Sequence, residues 1–89
     1  MNKIIYVVIA YRFGDINLHS YIVGAYDSKE EAMKRAIEEE EFRGGKYACI
    51  VWKLEKNYTY CYDRPKSIKT DFFEKLRKES YYVKEPDDE

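Results

Sequence analysis

The chain reads as an α+β protein: a four-stranded antiparallel sheet in ββαββα order, strand order 2-1-3-4, with a main helix on one face and a short C-terminal helix. Three observations predict this. Residues 4–11, Ile-Ile-Tyr-Val-Val-Ile-Ala-Tyr, are apolar on both parities and rich in β-branched and aromatic side chains, which marks a strand covered on both faces. One helix is bracketed by Asp27-Ser28 with Glu30-Glu31 at its start and by Arg43-Gly44-Gly45 at its end. Strand patterns lie on both sides of that helix, and a central first strand lets the helix cross over it from the second strand to the third, in the usual right-handed sense.

In order, the first strand is followed by turn formers in Gly14-Asp15-Ile16-Asn17-Leu18, and Ser20–Tyr26 resumes a strand pattern, so the two make a hairpin. The helix has two possible capping boxes, Asp27 with Glu30 or Ser28 with Glu31. Its inner stripe is predicted to be Ala32, Met33, Ala36, Ile37 and the stem of Glu40, with small alanines allowing close approach to the sheet. A basic last turn at Arg43 precedes glycines suited to a left-handed C-terminal position. Lys46–Leu54 is the predicted third strand, Glu55-Lys56-Asn57 a turn, and Tyr58–Tyr62 the predicted fourth strand. That register sets Leu54 opposite Tyr58, Trp52 opposite Tyr60 and Ile50 opposite Tyr62, with Cys49, Val51 and Cys61 on the helix face. Asp63-Arg64-Pro65-Lys66 then breaks the sheet, and Thr70 or Ser67 caps a short helix through Lys78 with Phe72, Phe73 and Leu76 as its apolar face. Tyr81-Tyr82-Val83 offers a last contact.

At 89 residues the chain is long enough for one domain, residues 1–85, and the acidic end at 86–89 is expected to fray. Charged residues make up 37% but nearly cancel to −1, so bulk electrostatics steers the chain toward neither nucleic acid nor an anionic membrane. Ten tyrosines are many for this length, and each buried hydroxyl needs a partner, which points to some rings at an interface. Arg12 interrupts the first apolar run and no small-residue cleavage site follows, so a secretory leader is not expected, and no apolar run nears the length of a membrane span. The expectation is a soluble cytoplasmic protein with Cys49 and Cys61 as free thiols, too far apart in the predicted register for a disulfide.

Residues 6–8, Tyr-Val-Val, then 21–32, Tyr-Ile-Val-Gly-Ala-Tyr-Asp-Ser-Lys-Glu-Glu-Ala, then 44–47, Gly-Gly-Lys-Tyr, resemble the small ββαβ-type accessory proteins of bacteriophages and mobile bacterial DNA, over residues 4–54. The resemblance implies a non-enzymatic accessory protein, often directed at a host protein, and carries no functional residue with it.

The parts of an active site are not assembled in the sequence. His19 is the single histidine and has no acid partner at fixed spacing, neither cysteine lies at a predicted helix start, and Gly44-Gly45 follows a helix instead of opening one. No metal site or cofactor is expected. Glu38–Glu41 could imitate nucleic-acid phosphates, but four consecutive residues spread around a helix, so the run reads as a solvated face balanced by Lys34, Arg35 and Arg43. Trp52, Tyr58, Tyr60 and Tyr62, with Arg64 and Lys66 close by and Arg12 as a further cation, are the candidate binding residues. The plainest reading of these rings is a second core layer under Phe72, Phe73 and Leu76; a self-association surface and a ligand surface are the alternatives.

Two function classes follow. The first is a binding protein, self-associating as a homodimer or larger, that blocks or modulates a host protein. The second is an oligomer that sequesters a small nucleotide or other anionic signal between rings and Arg12, Arg64 or Lys66.

Overall fold

The computed structural model describes residues 3–12, 19–61 and 63–77, with the side chains of Leu76 and Arg77 left aside. The expected loop at 14–18, Tyr62, the far end of the second helix at Lys78, Tyr81–Val83 and the tail lie outside the described residues. The elements are β1 (Ile4–Arg12), β2 (Tyr21–Tyr26), α1 (Lys29–Phe42), β3 (Tyr47–Glu55), β4 (Lys66–Lys69) and α2 (Asp71–Arg77). The strands form one antiparallel sheet in order β2-β1-β3-β4, the predicted topology.

β1 sits inside the sheet because both of its parities are apolar. It pairs with β3 along its whole length, from Ile4 opposite Glu55 to Arg12 opposite Tyr47. Val8 and Ala10 face α1, where they meet Cys49 and Val51 of β3, and Val7, Ile9 and Tyr11 face the other side. On β2 a bulge inserts Val23 between the pairs Val8–Gly24 and Ile9–Ile22.

α1 starts where the Ser28 hydroxyl accepts the Glu31 N–H at 3.3 Å, so the second of the two possible caps is the one used. Ala32 and Ala36 are fully buried and bring the helix axis down onto β1, β2 and β3. The helix ends in a Schellman turn: the N–H of Gly44 bonds to Glu41 O and that of Gly45 to Glu40 O, with both glycines at positive φ. Two expectations about α1 are corrected. Ile37 is exposed, while Glu39 and Glu40 are buried, so the stripe Ala32-Ala36 continues at the next turn into a carboxylate and the glutamate run is not a solvated face.

The fourth strand is also corrected. Residues 58–61 do not pair with β3; the chain makes a turn with Asn57 at positive φ, and the strand that pairs there is β4, which puts Trp52 opposite Ser67 and Ile50 opposite Lys69. The physical reason is what each segment offers the core. Ile68 packs beside the α1-side cluster, whereas the hydroxyls of Tyr58 and Tyr60 find partners in the connection itself, at Asp63 and the Glu55 N–H. Lys66 therefore opens a strand instead of breaking the sheet, and Cys61 is exposed and off the sheet, well away from buried Cys49.

α2 starts at Thr70, as one of its two expected caps: the Thr70 hydroxyl accepts the Phe73 N–H at 3.1 Å. Phe73 then closes the second face over Tyr11, Ala48, Ile50 and Trp52. Trp52 is only 6% exposed, and its Nε1–H donates to the Tyr11 hydroxyl at 3.0 Å inside that cluster. The second-core-layer reading holds for Trp52.

A buried ring this well enclosed makes the energetic test simple. Trp52→Ala is expected to lose about 3 to 5 kcal/mol, enough to nearly unfold a small domain, and Tyr60→Ala about 1 kcal/mol or less, both read by thermal or urea denaturation. Equal losses in the two variants would show that the ring of Trp52 is not the center of this layer.

Candidate functional site

The expected aromatic and cationic cluster is dispersed. Tyr58 and Tyr60 stay together in the connection between β3 and β4, with ring centroids 4.7 Å apart and an edge-to-face angle of 73°. The Tyr58 hydroxyl donates to Asp63 at 2.7 Å, a bond that holds its pKa above the usual tyrosine value, and the Tyr60 hydroxyl accepts the Glu55 N–H at 3.0 Å. Tyr60, Arg64 and Lys66 line a small cleft of about 220 Å³ beside Leu54, below the range of roughly 300 to 1,000 Å³ typical of small-molecule sites. Trp52 is in the core, and Tyr62 lies outside the described residues. Arg12 is at the other end of the sheet. Lys66 faces Lys53, Lys53 faces Tyr6, and Tyr6 lies six residue steps along β1 from Arg12, roughly 20 Å of strand. One copy of the chain does not bring Arg12 to Arg64 and Lys66.

At the Arg12 end a different cluster forms, which the sequence reading missed. Tyr21 opens β2 opposite Ala10, Tyr47 opens β3 opposite Arg12, and the last turns of α1 bring Glu39 and Arg43 over both rings. The Tyr21 hydroxyl donates to Glu39 Oε2 and accepts from Arg43 Nε at 2.8 Å; Arg35 Nη2 is 2.8 Å from Glu39 Oε1. The Arg43 guanidinium lies 5.1 Å from the centroids of both Tyr21 and Tyr47, whose rings meet edge to face at 5.5 Å, and Arg12 reaches the same Tyr47 ring from 6.0 Å. The hydrogen bond from Tyr21 lowers the pKa of Glu39, helped by Arg35 and Arg43 against the cost of burial. Tyr21 moves up, through burial first and then its bond to Glu39. Both shifts lead away from neutral pH, opposite to the tuning of a general acid or base, so the cluster acts as a clamp between α1 and the sheet.

Glu40 behaves differently. β4 ends opposite Ile50, one residue short of Cys49, so the outward N–H of Cys49 has no strand partner and donates to Glu40 Oε2 at 2.8 Å. The Thr70 hydroxyl donates to the same oxygen at 2.5 Å while accepting from Phe73 N–H. One buried carboxylate thus joins α1, β3 and the start of α2. Burial raises its pKa, the bonds from Thr70 and Cys49 only partly oppose that rise, and the charge of Glu41 adds to it. The Cys49 thiol beside it is pushed up to about 12 by burial and by the fields of Glu40 and Glu39, which makes it a poor nucleophile. With Glu39 and Glu40 inside, only Glu38 and Glu41 of the glutamate run are exposed, too few carboxylates to imitate a phosphate backbone. The i, i+4 spacing of Ala32, Ala36 and Glu40 was the available sequence signal.

Glu40 also lines a cleft of about 530 Å³ between the end of α1 and the start of α2. Among the described residues no group of three His, Cys, Asp or Glu is placed to hold a metal ion, and no helix is long and apolar enough to cross a membrane. No protein-family model, curated protein or solved structure matches the chain.

Two substitutions separate the charge of Glu40 from its hydrogen bonds. Between the ordinary glutamate pKa of about 4.3 and the raised folded value, the folded chain holds more protons than the unfolded one, so this residue's contribution to stability falls as pH rises through that window. Glu39, with its lowered pKa, runs the other way: its contribution is present above the ordinary range and is lost as pH falls through the folded value. Glu40→Gln keeps an oxygen for both donors, so urea melts across pH 4 to 8 are expected to show equal or greater stability at neutral pH and a flatter decline. Glu40→Ala strands both donors and is expected to cost about 1 to 3 kcal/mol for each. A Gln variant as unstable as the Ala variant would contradict this assignment.

Proposed function

We propose that the chain is a non-enzymatic binding protein that self-associates and acts by covering the surface of a partner protein. The observation that carries this reading is the part of the sheet that α2 does not reach. α2 packs on β3 and β4, and on the same face β1 and β2 present half-buried Ile5, Val7 and Ile9, exposed Ala25, and Ile22, which is 68% exposed opposite Ile9. β2 is also an edge strand of the sheet that the described residues form, the position at which a further strand could pair. An apolar strip along an edge is self-complementary under a two-fold axis, so a second copy is the occupant that fits it. The resemblance to phage accessory proteins extends the proposal to a host protein as the eventual target. Burial of Trp52 in the core removes one of the rings that nucleotide sequestration would use.

Sedimentation tests the proposal directly. The chain of 10.7 kDa is expected to sediment as a dimer or larger at micromolar concentration, and Ile22→Asp to give a folded monomer with an unchanged circular dichroism spectrum. A wild-type monomer throughout that range, or an Ile22→Asp variant that assembles normally, would sink the idea.

A further inference from the structure

The cleft at the junction of α1 and α2 is distinct from the open strip on β1 and β2. Its walls include the apolar side chains Ile37 and Phe72, and its acidic residues are Glu40, Glu41 and Asp71. Among the described residues no lysine or arginine lines it. Ile37 is 44% exposed and Glu41 and Asp71 are exposed, so apolar surface and negative charge meet there at a place open to solvent.

Glu40 turns this cleft into more than an acidic rim. The residue is 6% exposed, and both of its internal hydrogen bonds end on Oε2. Oε1 has no hydrogen-bond partner among the described residues and keeps some accessible surface. A largely buried carboxylate with lone pairs left over gains from a further donor, and Glu40 is among the residues that line the cleft. Thr70 and Cys49 each need only an acceptor oxygen at Oε2, so these two hydrogen bonds do not by themselves require a charged side chain here.

We infer that the cleft receives an arginine side chain of a partner protein, its guanidinium donating to Glu40 Oε1 near Glu41 and Asp71 and its aliphatic stem lying against Ile37 and Phe72. Guanidinium fits better than ammonium because it is weakly hydrated and carries several donors in a plane, able to serve more than one carboxylate from one position. Burial and the neighboring Glu41 charge both disfavor ionised Glu40, and an incoming cation opposes both. The inference rests on reading the chain as a protein-binding module and adds the chemistry of what it binds; it does not depend on how copies of the chain associate.

The test is a titration of the full chain followed by amide NMR, using acetyl-Leu-Arg-Leu-amide, the same peptide with citrulline in place of arginine, and n-butylguanidinium. The arginine peptide is expected to shift the amides of Gly44, Gly45, Asp71 and Phe72 saturably, with the citrulline peptide and n-butylguanidinium each roughly tenfold weaker or worse. Glu40→Gln, checked for its fold by circular dichroism, is expected to weaken the arginine peptide by a similar factor. Glu41→Gln, at an exposed position, is expected to weaken it less and in a salt-dependent way. Equal binding of the arginine and citrulline peptides, undiminished binding by both variants, or no shift at these amides overturns the inference. Binding of n-butylguanidinium as tight as the peptide overturns the assignment to a protein partner in favor of a free small cation. Failure of these titrations leaves the sedimentation result for Ile22→Asp unaffected, so the two readings fail separately.

Discussion

Where β4 gives way to α2, the outer edge of β3 loses its partner at Cys49, and Oε2 of Glu40 takes the freed N–H together with the Thr70 hydroxyl. Much of the architecture depends on that junction. The Thr70 hydroxyl that donates to Glu40 also caps α2 by accepting from the Phe73 N–H, and α2 in turn carries Phe73 onto Tyr11, Ile50 and Trp52. The described part of α2 has seven residues, too few to be stable in isolation, so its place is set by the docked cap and the buried ring. A strand edge, a helix start and the end of the main helix therefore share one oxygen.

The arrangement has two consequences for function. α2 is anchored over β3 and β4 and, among the described residues, does not reach β1 and β2 on that face, where Ile22 is exposed. The carboxylate that anchors it also lines a cleft, with both of its hydrogen bonds on one oxygen. The Tyr21–Glu39–Arg43 clamp at the other side of α1 has no such residue of unmet valence: Glu39 is bonded on both oxygens, and its pKa is lowered instead of raised. Adjacent glutamates on one helix thus take opposite roles, one held by cations and one short of them.

The parts of the fold legible in the sequence were those with redundant signals. β1 showed itself by two apolar parities, and α1 by its Ser28 cap, its Ala32 and Ala36 stripe and its two glycines. β4 was illegible because Ile68 is the single large apolar residue in Lys66–Lys69, while the alternation of Tyr58, Tyr60 and Tyr62 imitated a strand. Tyrosine is ambiguous in this way, since its hydroxyl lets it leave the sheet at little cost once a local partner such as Asp63 is available. The buried role of Glu40 was half legible. Helical spacing pointed its stem inward, but the unpaired N–H that holds its carboxylate exists only because β4 stops where it does, a fact of tertiary pairing that no local pattern records. Arg12, Arg64 and Lys66 were grouped by charge alone; Arg64 and Lys66 line one cleft, and sheet register separates Arg12 from Lys66.

Native-state amide hydrogen exchange tests the junction most directly. If Glu40 Oε2 couples the three elements, the Cys49 and Phe73 amides and the Trp52 indole N–H open together, with protection close to that of global unfolding, and Thr70→Val lowers the protection of both amides at once. A Phe73 amide that exchanges nearly freely while Cys49 stays fully protected would contradict the account, because α2 would then come and go without disturbing the edge of β3.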